Sequence, residues 1–196
     1  RPVFKAVPLG AGATASVASL LDGTKELQAV GTGLKAGSAE QGGFLSQPRS
    51  GNFQNTIRIR SVSGGNGPRS ALMIREGLGA VDRFAALQVA TDGSLSLLSR
   101  SVTGGSVVAV PVAGKLSLPD VWLAFERKGD RITFAVSRDD ITYSSAGFVD
   151  LLGLPQIVQC GPFLGSGSTT VAAKAVISDY EINAVSSSGL TAQYFG

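Results

Sequence analysis

The chain has 196 residues, of which 43% are hydrophobic and only 16% charged, with 17 basic and 14 acidic side chains leaving a net charge of +3. This balance predicts a folded chain long enough to bury a core without covalent staples. Histidine is absent and Cys160 is the only cysteine, which removes the commonest general base, any disulfide framework and any Cys–His pair. The charges are scattered and the aromatic residues do not interleave with Lys or Arg, so nucleic acid is not an expected partner. No apolar run reaches the roughly 18 residues of a membrane span, and membrane insertion is not expected.

In chain order, Ala13–Leu21 holds helix-forming residues without caps and reads as a loop or short turn. Short runs with period-two alternation then follow at Glu26–Gly31, Gly43–Pro48, Phe53–Val62, Ser70–Glu76, Arg83–Thr91 and Leu95–Arg100. They continue at Val107–Val112, Val121–Lys128, Arg131–Arg138, Ile157–Leu164 and Thr170–Ile182. Turn chemistry separates them, as in Gly64-Gly65-Asn66-Gly67-Pro68, Thr91-Asp92-Gly93 and Gly104-Gly105. Gly129-Asp130 is a two-residue hairpin turn that sets Val121–Lys128 antiparallel to Arg131–Arg138. Asp150-Leu151-Leu152-Gly153 has room for one helical turn. Many short strands and almost no helix predict an all-β, two-sheet antiparallel sandwich over residues 1–185. Residues 186–196 open on Ser186-Ser187-Ser188-Gly189 and read as a linker with the start of a possible further domain.

Three segments carry a family likeness: Ala71-Leu72-Met73-Ile74-Arg75-Glu76 with Phe84–Val89; Leu97-Leu98-Ser99-Arg100 before Gly104-Gly105; and Trp122–Asp130 continuing through Phe134 to Asp139. Their order and spacing resemble the laminin-G-like branch of the concanavalin A-like lectin/glucanase superfamily, as found in secreted bacterial proteins. The resemblance spans roughly residues 26 to 184. It implies a jelly roll whose concave outer sheet face holds glycan chains, in a larger secreted or cell-surface protein with neighbouring domains. After Ser137 the sequence departs from the family's Ser-x-Asp-Gly and following Trp. Here Asp139-Asp140 leads to Tyr143, which would carry any aromatic contact from that loop.

Alternation assigns faces. Leu72, Ile74, Leu87, Val89, Leu95, Leu97, Leu123, Phe125, Ile132, Phe134 and Val136 point to the core. Met73, Arg75, Gln88, Leu98, Arg100, Trp122 and Glu126 point outward. Arg75, Gln88, Arg100, Trp122, Glu126 and Tyr143 are therefore the candidate ligand-binding residues, able to stack on a sugar ring and form bidentate hydrogen bonds. The other reading makes Arg75, Arg100 and Glu126 a cross-strand charge network and Trp122 a covered anchor.

No Glu-x-Asp-x-x-Glu carboxylate triad exists for glycoside hydrolysis, and no His can activate a serine. The acidic pairs Asp139-Asp140, Asp179 with Glu181, and Asp120 with Glu126 lie in turns or near strand ends. The expectation is a non-catalytic carbohydrate-binding or adhesion module with no cofactor and no bound metal; a structural spacer and a hydrolase-related domain are the alternatives.

Overall fold

Alternating apolar residues between glycine-rich turns condense into fourteen strands and no helix among residues 4–37 and 39–186, which the computed structural model describes. In chain order these are β1 (Lys5–Leu9), β2 (Thr14–Ser19), β3 (Lys25–Gly31), β4 (Gly42–Ser50), β5 (Phe53–Gly64), β6 (Arg69–Arg75) and β7 (Phe84–Ala90). They continue with β8 (Ser94–Arg100), β9 (Val108–Lys115), β10 (Val121–Lys128), β11 (Arg131–Ser137), β12 (Tyr143–Asp150), β13 (Ile157–Gly165) and β14 (Ser168–Ala184). Two antiparallel seven-stranded sheets result, one ordered β1-β4-β13-β6-β7-β8-β9 and the other β12-β11-β10-β5-β14-β3-β2. We call them the first and second sheet. The β10–β11 hairpin closes at Lys128↔Arg131, the register that the Gly129-Asp130 turn dictates.

The core lies between the sheets. Leu72, Ile74, Leu87 and Leu97 of the first sheet meet Ile57, Leu123, Phe125 and Phe134 of the second, all buried. Phe125 sits edge-on between Phe53 and Phe134, with ring centroids 5.6 and 5.8 Å away. Each residue assigned inward by alternation lies in this cluster.

A second apolar cluster lies on the other face of the first sheet: Phe44, Met73, Phe84, Ala86, Leu98 and Phe163, under Leu34 and Val107. The loops that carry Leu34 and Val107, with the loop after β6, cover that face. They are tied to each other by Gly37 N donating to Val107 O at 2.9 Å and Gly104 N to Val81 O at 2.8 Å.

Three strands were not expected from the sequence. β1 contains Pro8 and lies on an edge, where a missing N–H costs no ladder bond. β2 is the run read as a loop; its alanines and serines lack strong strand propensity, and pairing with β3 decides its conformation. In β12 a register shift opposite Phe134/Ala135 breaks the period that alternation relies on. The segment after Asp150 is a hydrogen-bonded turn, Leu154 N to Leu151 O at 3.2 Å, and not a helical one. The expected linker and further domain fall outside the described residues, apart from Ser186.

Cys160 is fully buried in β13, and burial pushes its thiol pKa up to about 12. The thiolate needed for alkylation is therefore scarce at pH 8. We expect no labelling by a thiol reagent in the folded protein and stoichiometric labelling in denaturant; rapid native labelling would contradict this burial.

Candidate functional site

The outward residues predicted from sequence do not share one surface. Arg75 on β6, Gln88 on β7 and Arg100 on β8 lie on the first sheet, whereas Trp122 and Glu126 on β10 and Tyr143 on β12 lie on the second. The expectation of one combined groove is thus corrected. Alternation tells which side of a strand faces out, but not which sheet the strand joins.

Arg75 and Arg100 are spoken for. Both flank Phe84 in one cross-strand row, and both are at most 1% exposed. Glu40, from the loop after β3, reaches Arg100 Nη1 at 2.5 Å and Arg75 Nη2 at 2.8 Å, the latter contact poorly aligned for a hydrogen bond. Backbone carbonyls of Gly77 and Gly79 and the Met73 sulfur also accept from Arg75, and the carbonyls of Gly105, Ala80 and Asp82 from Arg100. Burial lowers the pKa of Arg75, and the charge of Glu40 opposes that shift. The charge-network reading therefore holds for these arginines, with Glu40 as the acid in place of Glu126. Three covering loops are latched to the sheet through it.

The second sheet presents a different surface, and its register builds it in three rows across the strands. Tyr143, Ser137, Trp122 and Arg58 form the first row, from β12 to β5. Ser145, Ala135, Ala124, Thr56 and Glu181 form the second, extending onto β14. Phe148, Thr133, Glu126, Gln54 and Asn183 form the third. The middle row is small where its neighbours are large, so a transverse trough follows from the sequence of side-chain sizes. Its hollow has a volume of about 340 Å³ and is walled by Gln54, Thr56, Asp140, Tyr143, Glu181 and Asn183, within the rough 300–1,000 Å³ range of small-ligand sites.

Local backbone features aim the polar groups. Asp139 Oδ1 accepts from Ile141 N and Thr142 N, each at 2.9 Å, and from the Ser137 hydroxyl, which folds the β11–β12 turn. That turn puts Asp140 at φ +61°, a left-handed conformation that Asp tolerates, and Tyr143 donates its phenol proton to Asp140 Oδ1 at 2.5 Å. Burial, then Asp140, raises the Tyr143 pKa, so the phenol stays protonated. On the far side, β14 slips register between Ser178 and Glu181, and the inward Asn55 holds the slip by donating to the Glu181 carbonyl at 2.9 Å. The slip turns the Glu181 side chain into the trough.

Trp122 is only 8% exposed, and the Arg58 guanidinium lies over its ring at 4.4 Å. Arg58 is held there by Pro119 O at 3.1 Å and Asp120 at 3.1 Å. The indole is thus a wall with one face taken, while its buried Nε1 has no protein acceptor. Glu126 pairs with Lys128 at 2.7 Å and accepts from Gln54 at 2.9 Å. Among the described residues no three His, Cys, Asp or Glu side chains are grouped to hold a metal ion. Of the residues predicted from sequence only Tyr143 lines this hollow, Trp122 and Glu126 standing in the flanking rows, and sequence reasoning did not single out Gln54, Thr56, Asp140, Glu181 and Asn183 as site residues. Gln54 and Thr56 alternate against the core residues Phe53 and Ile57, a signal that was readable; the β14 slip left none.

No family model matches the chain, and no curated protein matches it. Solved structures do. A functionally unknown protein from Saccharomyces cerevisiae superposes with TM-score 0.70 at 16% identity, over 93% of this chain and 97% of that one. The alginate lyase from Klebsiella pneumoniae superposes with TM-score 0.57 at 9% identity, over 93% and 95%. The GH43 protein BlXynB from Bacillus licheniformis gives 0.59 at 12% identity, over 90% of this chain but 37% of that one. At these identities the likeness establishes the fold alone, a two-sheet antiparallel β-sandwich.

Proposed function

We propose that the chain is a non-catalytic carbohydrate-binding module and that the trough of the second sheet takes a neutral glycan. The observation that carries this reading is the alanine-floored trough, with an aromatic wall and a rim of amide, hydroxyl and carboxylate groups. Sugars present apolar C–H faces and outward hydroxyls, which such a surface matches through contact with Tyr143 and hydrogen bonds to Gln54, Thr56, Glu181 and Asn183. The acids Glu126, Asp140 and Glu181 outnumber the nearby cations Arg58 and Lys128, and both cations are already paired. A polyuronate would meet like charge there, so the preferred ligand is uncharged.

Two features favour binding over catalysis. Asp140 is occupied as the acceptor of a phenol, and Glu126 is held between a lysine and an amide. The Tyr143 phenol, its pKa raised and its proton given to Asp140, is no proton abstractor and can offer a sugar hydroxyl only an acceptor lone pair. The relation to polysaccharide-active structures agrees with a glycan ligand, and a secreted or cell-surface multidomain protein is the setting we infer.

The test is affinity electrophoresis and calorimetry with neutral glucans, xylans, mannans and fructans. We expect one of these to bind, and Tyr143→Ala to weaken it by about tenfold or more, the equivalent of roughly 1.4 kcal/mol. Absence of binding to every neutral polysaccharide would leave the spacer reading. Release of reducing ends or unsaturated products, abolished by Glu181→Gln, would make the chain an enzyme.

A further inference from the structure

Three turns of the chain set a side-chain amide or carboxyl group directly before a glycine: Asp22-Gly23, Asn66-Gly67 and Asp92-Gly93. Such a pair can react with itself, because the glycine nitrogen, uncrowded by any Cβ, lies next to the side-chain carbonyl carbon. Two contacts restrain the reaction: a hydrogen bond that occupies the glycine N–H, and one that parks the side chain on the N–H two residues on. Both are in place at the aspartates. Gly23 N donates to Leu20 O at 3.0 Å and Gly93 N to Ala90 O at 2.9 Å. Asp22 Oδ1 accepts from Thr24 N and Asp92 Oδ1 from Ser94 N, each at 3.0 Å.

Asn66 has neither. Among the described residues Gly67 N has no hydrogen-bond acceptor and the Asn66 side chain has no partner. The N–H two residues on is missing by covalent structure, since residue 68 is proline. Asn66 and Gly67 are both exposed, and a Cβ on Gly67, at φ +66°, would meet nothing within 4 Å. The backbone before them is fixed, Gly65 N donating to Ala172 O at 2.9 Å and Asn66 N to Ser166 O at 2.7 Å. The reacting pair thus stands free just beyond an anchored stretch, in the loop that carries the chain from β5 of the second sheet to β6 of the first. The other asparagines differ. Asn55 is buried and donates to Glu181 O, Asn52 accepts from Gly129 N, and Asn183 precedes alanine within β14.

We propose that Asn66 is a site of spontaneous modification, deamidating through a cyclic imide to aspartate and isoaspartate while the protein is folded. The Gly67 nitrogen bonds to Cγ of Asn66; the Cγ–Nδ2 bond breaks, and ammonia leaves with the proton from Gly67. Water then opens the imide at either carbonyl. Cleavage at Cγ leaves aspartate, and cleavage at the main-chain carbonyl leaves isoaspartate, with one more methylene in the backbone. Nothing is oxidised or reduced, and water is the sole co-reactant. Each conversion replaces a neutral amide by a carboxylate and so lowers the net charge of +3 by one. In the isoaspartate form the new carboxylate is the former main-chain carbonyl, whose oxygen is packed so tightly that a Cβ on Gly167 would fall 1.9 Å from it. The modification therefore acts on the joint between the β5–β6 loop and the β13–β14 turn.

The test incubates the whole chain at pH 8, folded and in guanidinium chloride, and follows each site by peptide mass mapping, with enzymatic methylation to count isoaspartate. In the folded protein Asn66 should gain the mass of an amide-to-acid exchange at a rate within about tenfold of that in denaturant, as for a group without protection. The rate should rise with pH, because the attacking nitrogen must shed its proton. Asp22 and Asp92 should form isoaspartate more than about tenfold more slowly folded than unfolded, the scale on which one retained hydrogen bond suppresses reaction. Asn66→Gln, which would have to close a larger ring, should lose the mass gain at this position. A folded-state rate at Asn66 more than about tenfold below the denatured one, equal protection at all three glycine pairs, or a mass gain undiminished in Asn66→Gln would overturn the proposal.

Discussion

Replacing Glu40 by alanine is expected to destabilise the fold by about 3–5 kcal/mol, the cost of removing one partner from a buried ion cluster. For a chain of this length that corresponds to a melting temperature lower by on the order of 10 °C. Arg75 and Arg100 are at most 1% exposed and both look to one carboxylate. Without it, two guanidinium groups share a dry site with backbone carbonyls and the Met73 sulfur among their acceptors, and guanidinium does not give up its proton. The three covering loops lose their common latch as well. Glu40→Gln keeps the shape and removes the charge, so it should recover little of the loss. A triple replacement, Glu40→Leu with Arg75→Met and Arg100→Met, should recover much of it, since buried ion clusters are often replaceable by apolar groups. Denaturant unfolding followed by Trp122 fluorescence measures all three. A loss below about 1 kcal/mol for Glu40→Ala would place the latch among ordinary surface ion pairs.

The second large effect concerns binding rather than stability. Ala124 lies at the floor of the trough between taller rows. Ala124→Leu would raise the floor next to Trp122 and Tyr143, and we expect it to weaken neutral-glycan binding by more than about tenfold, or roughly 1.4 kcal/mol. Ala124 is packed with Trp122, Ala135 and Tyr143 on the outer face of the sheet, so the added bulk should also cost roughly 1–3 kcal/mol of stability. Calorimetry with the bound polysaccharide and a denaturation curve separate the two effects. Undiminished binding by Ala124→Leu would remove the trough as the site; a collapsed fold would show that Ala124 belongs to the packing and not to an open floor.

The two readings of the outward residues divide between the sheets. Arg75 and Arg100 serve the cover over the first sheet. Tyr143 lines a trough on the second, with Trp122 and Glu126 in the rows beside it. Trp122 and Tyr143 are equally covered, each 8% exposed, but Arg58 lies on the indole and only Tyr143 lines the hollow, which leaves the aromatic contribution to Tyr143. The carboxylates of Asp140 and Glu181 at the trough argue for hydroxyl-bearing, uncharged ligands.

Side-chain alternation is a local property of extended backbone, so the sequence by itself determined the all-β class, the β10–β11 hairpin and the inward faces of β6, β7, β8, β10 and β11. Leu123, Phe125, Phe134 and Leu87 are buried where period two puts them. Sheet membership is not local. It depends on which strands pair across more than a hundred residues, as β5 does with β14 and β4 with β13, and no residue type encodes a neighbour at that distance. Only the tertiary structure therefore decided that Arg75 and Trp122 lie on different sheets, that Glu40 neutralises the arginines, and that a slip in β14 turns Glu181 toward Tyr143.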